Sequence, residues 1–384
     1  MKKYIKSFLI LISVFLSWSC IVNASIEFSS KSSSIALKPG TQVTYNSAFS
    51  GWDSHSVVKD SGNDNLVKYG TLPNLQYADV PYDSLVILGK ILGNTTVLGR
   101  SFLNSPIDLQ GGTLNLFGDL SLSSQTTIVS SGFFHLNSNA MVLGGDLTIP
   151  TDVKLTVTSS GVIDGQGNLL IFEGNGKLLV DQNVTLTLRN VVLKDIKDFG
   201  IDESSLGSNK TWRSRLALQN SEIKLSRNYT FTIGELYIHG DVVVSGTNQF
   251  AYTSTNQAWI TDNSTLKFDV GTTFSYGSFA TMAYGSPKTL LGMTDATSQL
   301  YFNGCHFVTT CTGIQLTKGT LIIDHKNLFY NQDGLIDNDQ RVGLSVSEAI
   351  AFGDGTAAND LNIEIMPAGN FELTTGILAY NNQN

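Results

Sequence analysis

Apolar and polar residues alternate in short runs along most of this chain. Thr113 to Phe117 (TLNLF), Asp119 to Leu122 (DLSL), Lys154 to Val157 (KLTV), Val184 to Leu188 (VTLTL) and Thr265 to Val270 (TLKFDV) all show a period of two. That period puts alternate side chains on opposite faces of a pleated backbone, so each run predicts a short, half-buried strand. Between the runs stand small polar clusters such as Ser130-Ser-Gly132, Asp164-Gly-Gln-Gly-Asn168 and Glu173-Gly-Asn-Gly176. These residues supply positive-φ and side-chain-bonded turns. A 3.6-residue period with caps is almost absent, so helices should be few and short.

The strands also repeat. Gly118-Asp-Leu-Ser-Leu122 returns as Gly145-Asp-Leu-Thr-Ile149 and as Gly240-Asp-Val-Val-Val244, and Thr127-Ile-Val-Ser-Ser-Gly132 returns as Thr156-Val-Thr-Ser-Ser-Gly161. Imperfect repeats of this length suit a solenoid, in which one coil of strands cannot bury its own face and must stack on its neighbours. A β-sandwich would also space strands regularly, but would not require the same Gly-Asp-Leu step at one point of each coil. The expected fold is all-β, a right-handed parallel β-helix with short irregular caps. Residues 25–84, which are weakly periodic, would form an N-terminal cap or irregular first coils. Residues 85–384 would form the β-helix, with a loop insertion near 197–215.

The N-terminus changes the picture of where the chain works. Lys2, Lys3 and Lys6 precede the apolar run Phe8 to Leu16, which is too short for a stable membrane span. Residues 1–24 therefore read as a signal peptide, with cleavage after Val22-Asn23-Ala24. Acylation of Cys20 is the rival reading, weakened by Trp18 where a small residue is wanted. No later apolar run reaches transmembrane length, so the expected location is secreted, periplasmic or on the outer cell surface. The formal net charge is −8, and losing three lysines makes the mature chain more acidic still. Without a basic stripe, nucleic acid is not an expected partner. Cys305 and Cys311 could bridge only through a turn, because six residues of straight strand would hold their Cα atoms ~20 Å apart.

Two segments invite a chemical reading. Gly161-Val-Ile-Asp-Gly-Gln-Gly167 resembles the Ile-Asp-Gly-Gln-Gly step of polygalacturonases, which are parallel β-helices. The resemblance implies the fold. The acidic, Gly-His-Gly and Arg-Ile-Lys motifs of that family have no counterpart here, and no carboxyl pair for inverting hydrolysis is identified. Ile323-Asp324-His325, followed by Asp333-Gly-Leu-Ile-Asp337, is similar to a step of pectate lyases, which implies Asp333 and Asp337 as calcium ligands. Ile322 replaces the family's Trp, and the Arg of Arg-x-Pro-x-x-Arg is missing. In a straight strand the two Cα atoms would lie ~13 Å apart, too far to share one calcium unless Gly334 bends the chain. The bland alternative is an exposed strand or turn with solvated acids.

The five histidines (55, 135, 239, 306, 325) show no metal-ligand spacing. Trp212, Tyr229, Tyr237, Tyr252, Trp259, Tyr276 and Tyr284 could line a sugar-binding groove, although at strand spacing most should be core or turn residues. The overall texture resembles uncharacterised β-helical surface proteins of host-associated bacteria. It implies export and contact. A host or cell-surface glycan or protein is the expected partner, and no catalytic residue or cofactor is expected. A calcium-dependent, pectate-lyase-like enzyme is the alternative.

Overall fold

The computed structural model describes residues 57–60, 85–87, 91–98, 101–202, 214–277, 291–309, 314–331, 348–356, 359, 361–375 and 377–380. Among these, no α-helix occurs, and the strands stack as a parallel β-helix. One coil shows the construction. Lys154–Ser159 lies on a first face, Gly161–Asp164 on a second and Leu169–Phe172 on a third, after which Lys177–Val180 returns to the first. The return strand pairs in parallel with the one it left, Leu155 beside Leu178 and Val157 beside Val180. A strand inside such a sheet therefore bonds the coil before it and the coil after it, which satisfies the backbone N–H and C=O groups without antiparallel hairpins, while Asp198–Ile201 and Leu291–Met293 each end a run of paired coils.

The alternation in sequence becomes inside and outside. Thr185–Arg189 has Leu186 and Leu188 buried between half-exposed Thr185, Thr187 and Arg189. Inward residues stack in columns along the solenoid. Leu114, Phe134, Val157 and Val180 are successive register partners on the first face. Toward the C-terminus the columns become aromatic. Phe250, Phe274, Phe307 and Phe329 follow one another in register, with ring centroids 6.3, 5.4 and 5.6 Å apart. Phe231, Tyr252 and Tyr276 form a second column of nearly parallel rings at 5.7 and 6.1 Å. Their polar tips find partners at the wall. The Tyr229 hydroxyl donates to the Phe199 carbonyl at 2.7 Å, and the Tyr276 hydroxyl accepts from the Leu291 amide at 3.1 Å.

The corners use one device repeatedly. A polar side chain at a corner accepts a hydrogen bond from the backbone N–H that starts a strand in the next coil. Asn94 takes Thr113 N at 2.8 Å, Asp119 takes Ala140 N at 2.8 Å, Asp146 takes Leu169 N at 2.9 Å and Asn228 takes Gln249 N at 3.0 Å. This corrects the reading of the Gly-Asp-Leu repeat. Gly118 precedes a second-face strand, Leu120–Ser123, whereas Gly145 precedes a third-face strand, Leu147–Ile149. The same step serves two different corners because both need a strand-start acceptor, so its spacing is not the coil length. The coil advance is shorter, from Leu120 to Met141 and from Leu147 to Leu170.

Two strands cross a corner whole. Arg215–Leu225 and Glu235–Gly246 each lie on the second and third faces, bending at Asn220 (φ 47°) and Gly240 (φ 60°). Gly240 is required there, since a Cβ would meet Asn220 Oδ1 at 1.9 Å and the φ is left-handed. Of the expected insertion near 197–215, Asp198–Ile201 is a first-face strand and Arg215 opens the next one, while 203–213 lies outside the described residues. Within the expected N-terminal cap, Val57–Asp60 pairs antiparallel with Thr95–Leu98, the one antiparallel pairing among the described strands. The rest of the cap up to Ser84, the signal segment and Cys20 lie outside them.

The core predicts its own weak point. Phe302 is fully buried and touches the rings of Phe268, Phe307 and Phe329. Phe302→Ala should cost ~3–5 kcal/mol locally. In a solenoid that loss appears first in the neighbouring coils. Hydrogen exchange should accelerate in Thr265–Phe268 and Gly319–Asp324 while Thr113–Phe117 keeps its protection; uniform acceleration would contradict this.

Candidate functional site

The Ile-Asp-Gly-Gln-Gly step is a corner. Asp164 is buried and accepts from Arg189 Nε and Nη2 at 2.9 and 2.7 Å, from the Gln166 amide at 3.1 Å and from Asn190 Nδ2 at 3.3 Å. The carboxylate is fully engaged in holding two coils together. The Ile-Asp-His step is a corner too. His325 sits at φ 58° between Gly319–Asp324 and Lys326–Asn331. Behind it, Asn327 is completely buried, donating to the Asp324 and His325 carbonyls and accepting from the Cys305 amide.

Around this corner runs a polar ladder. The Tyr301 hydroxyl donates to Asp324 at 2.9 Å, His325 Nδ1 is 2.8 Å from Asn303 Oδ1, and Asn303 donates to Asp269, which Lys267 approaches at 3.2 Å. Burial, then the bond to Asp324, raises the Tyr301 hydroxyl above its usual range. Burial works against ionisation of Asp269, but hydrogen bonds from Asn303 and Lys267 outweigh it and hold the carboxyl low. The members pair with one another across adjacent coils rather than around a cavity. Asp333 and Asp337, which the pectate-lyase resemblance brought forward, lie outside the described residues. No group of three metal-ligating side chains occurs among those described. Cys305 is free and buried, and burial raises its thiol far above the ordinary range. Its partner in the sequence, Cys311, lies outside the described residues.

The candidate aromatics divide sharply. Tyr229, Tyr252 and Tyr276 belong to the core columns, and Trp212 and Tyr284 lie outside the described residues. Tyr237 and Trp259 point outward, one directly beside the other on the second face. Tyr237 carries the Arg215 guanidinium 3.8 Å above its ring, and Arg215 also binds Glu235 Oε2 through Nε and Nη2 at 3.1 and 3.0 Å. His239, on the same strand, shares a hydrogen bond with Thr261 at 2.9 Å. Burial, then the Arg215 charge, lowers its imidazole, with Asp262 opposing.

The next outward position along this column is Gly292, the register partner of Trp259. Lacking a side chain, it accepts the indole over its backbone. A Cβ there would lie 2.5 Å from Trp259 Cζ3 and 2.8 Å from Cε3. A cleft of about 510 Å³ opens beside this pair, lined by Gln257, Trp259, Gly292, Met293, Thr294, Gln315, Thr317, Lys318 and Asp354. Gln315 Nε2 donates to the Gly353 carbonyl at 3.1 Å, which fixes the amide. Asp354 accepts from the Thr356 amide at 2.9 Å and from Asn359 Nδ2 at 2.8 Å. Those bonds, the one from Asn359 foremost, hold its carboxyl below the usual range. The cleft thus joins an aromatic wall to fixed hydrogen-bonding groups, a pattern of small-ligand sites of comparable volume.

Sequence reasoning named Trp259 but missed Gly292, Gln315 and Asp354. The available signal was the outward position of an alternating strand, Ala258–Ile260 with only Trp259 half exposed. The architecture defines a parallel β-helical solenoid with an aromatic cleft on its second face. No protein-family model matches the sequence, and searches of curated proteins and of solved structures give no match.

Gly292→Ala should displace the indole, because the added methyl takes the space of the benzo ring. The expected result is a shift of tryptophan emission to longer wavelength with an unchanged β signal in circular dichroism. Unaltered emission would mean that Trp259 does not rest on Gly292.

Proposed function

We propose that this protein is an exported, non-catalytic β-helical scaffold that makes contacts at a cell surface, with a glycan or protein as partner. The observation that carries the reading is how the wall spends its charges. Lys154 pairs with Asp202, Lys177 with Asp198, Arg189 with Asp164, Arg215 with Glu235 and Lys326 with Glu372. These groups join coils instead of converging as acid, base and nucleophile on one cavity. Export is inferred from the basic and apolar N-terminal segment ending at Ala24. The secreted, periplasmic or outer-surface location follows from it.

The rival is a calcium-dependent lyase using Asp333 and Asp337. Such chemistry needs a base to remove the proton α to a uronate carboxyl and a calcium ion to acidify it. The sequence offers a candidate calcium pair and no motif-matched base. Polygalacturonate incubated with the mature protein should therefore give no rise in ultraviolet absorbance from unsaturated product, with or without calcium. Calcium-dependent product that disappears in the Asp333→Ala/Asp337→Ala double variant would establish the rival.

A second measurement concerns export. Intact mass of the protein isolated from an expressing cell should correspond to a chain beginning at Ser25. A soluble cytoplasmic protein retaining Met1 to Ala24 would remove the export inference.

A further inference from the structure

The cleft on the second face has a chemistry of its own. Its wall is Trp259, whose ring rests over Gly292 of the following coil, and its far side is Gln315, one coil further. The indole covers Gly292 and is itself half exposed, so a ligand meets the open side of the ring. The rim carries two amides, Gln257 and Gln315, two hydroxyls, Thr294 and Thr317, one cation, Lys318, and one anion, Asp354.

Each part of this lining narrows the ligand. An aromatic wall favours a partner with an apolar face of similar width. Amides, hydroxyls and a carboxylate held by its own loop favour a partner with many hydroxyl groups, since fixed acceptors and donors bind without having to be ordered first. An aliphatic ligand would make no use of those polar groups, whereas a hydroxylated one can bond them. One positive and one negative group give the lining no net charge, and the chain as a whole is at −8. A polyanion is repelled at long range and gains nothing at short range. What combines an apolar face, a rim of hydroxyls and no charge is a pyranose ring.

We propose that the cleft between Trp259 and Gln315 is a binding subsite for a neutral saccharide. The C–H face of one sugar ring stacks on the indole, and Asp354, Gln315 and Gln257 take its hydroxyls. This rests on the contact reading above and supplies it with a ligand class. Gly292 is then a positioning residue, because any side chain there would lift the stacking ring off the wall.

The test is isothermal titration of the mature protein with four soluble probes: cellotetraose, maltotetraose, chitotriose and tetragalacturonate. At least one neutral probe should bind, and tetragalacturonate should bind more weakly than that probe. Trp259→Ala should weaken binding ~10-fold or more, as removal of a central aromatic anchor does. Gln315→Ala, which removes a half-exposed amide and its bond to the Gly353 carbonyl, should weaken it several-fold and decides the matter if Trp259→Ala loses its β signal. The proposal is overturned if no neutral probe binds, if tetragalacturonate binds best, or if both variants bind like the wild type. The absorbance assay for unsaturated product separates the two readings. Product formation with saccharide binding intact would remove the contact role and keep the subsite. Neither product nor binding would remove the subsite and leave the contact role standing.

Discussion

Everything in this molecule depends on one coil lying in parallel register on the next. Strand pairs such as Leu155 with Leu178 and Leu186 with Leu216 keep backbone groups satisfied only if each turn of chain returns to the same point of the triangle. That requirement fixes where side chains go. A residue that faces inward in one coil has inward neighbours above and below, and the apolar columns follow without further instruction. It also fixes what corners must do. They reverse direction in a few residues while protecting the first N–H of each strand, and the acceptors Asn94, Asp119, Asp146 and Asn228 meet this need from the coil below.

Coil spacing then limits side-chain size, on both sides of the wall. At about 4.8 Å between strands, a large residue on one coil covers part of the next. Inside, Gly132 and Gly161 yield to Leu109 and Leu136, whose Cβ atoms would stand 2.4 Å from any Cβ placed on the glycines. Outside, Gly292 yields to Trp259 in the same way. The aromatic platform of the cleft is thus the packing rule of the core applied to the solvent face. Its hydrophobic area is held by the wall and still open on one side.

The period-two runs carried the fold, because alternation is set by the pleat and survives irregular loop lengths. The Gly-Asp-Leu repeat suggested a solenoid correctly but misplaced its corners, since a strand-start acceptor is useful at more than one corner of each coil. The cleft was legible only in part. Trp259 stands in a short alternating strand and could be named, yet its partner Gly292 is 33 positions later, a separation given by the register and by no local pattern. Gln315 and Asp354 are more distant still. The Asp324-His325 step, which resembles one of pectate lyases, lies at a corner, where His325 takes a left-handed φ and buried Asn327 binds the Asp324 and His325 carbonyls.

The lengths of the connections place the cleft where change is easiest. Between the second and third faces the chain turns at a single residue in Asn220 and Gly240, and from third to first it turns in a few residues, with a positive φ at Asp152 and at Asp195. The longer links, 203–213, 278–290 and 332–347, each join a first-face strand to a second-face strand. A solenoid tolerates added length only where the chain can leave the wall and return in register, and surface loops bear such additions at small entropic cost. Those three links fall where the chain enters the second face, which also carries Tyr237 and Trp259. The corners from third to first face stay short, and beside them the columns and the inter-coil pairs keep the wall in register.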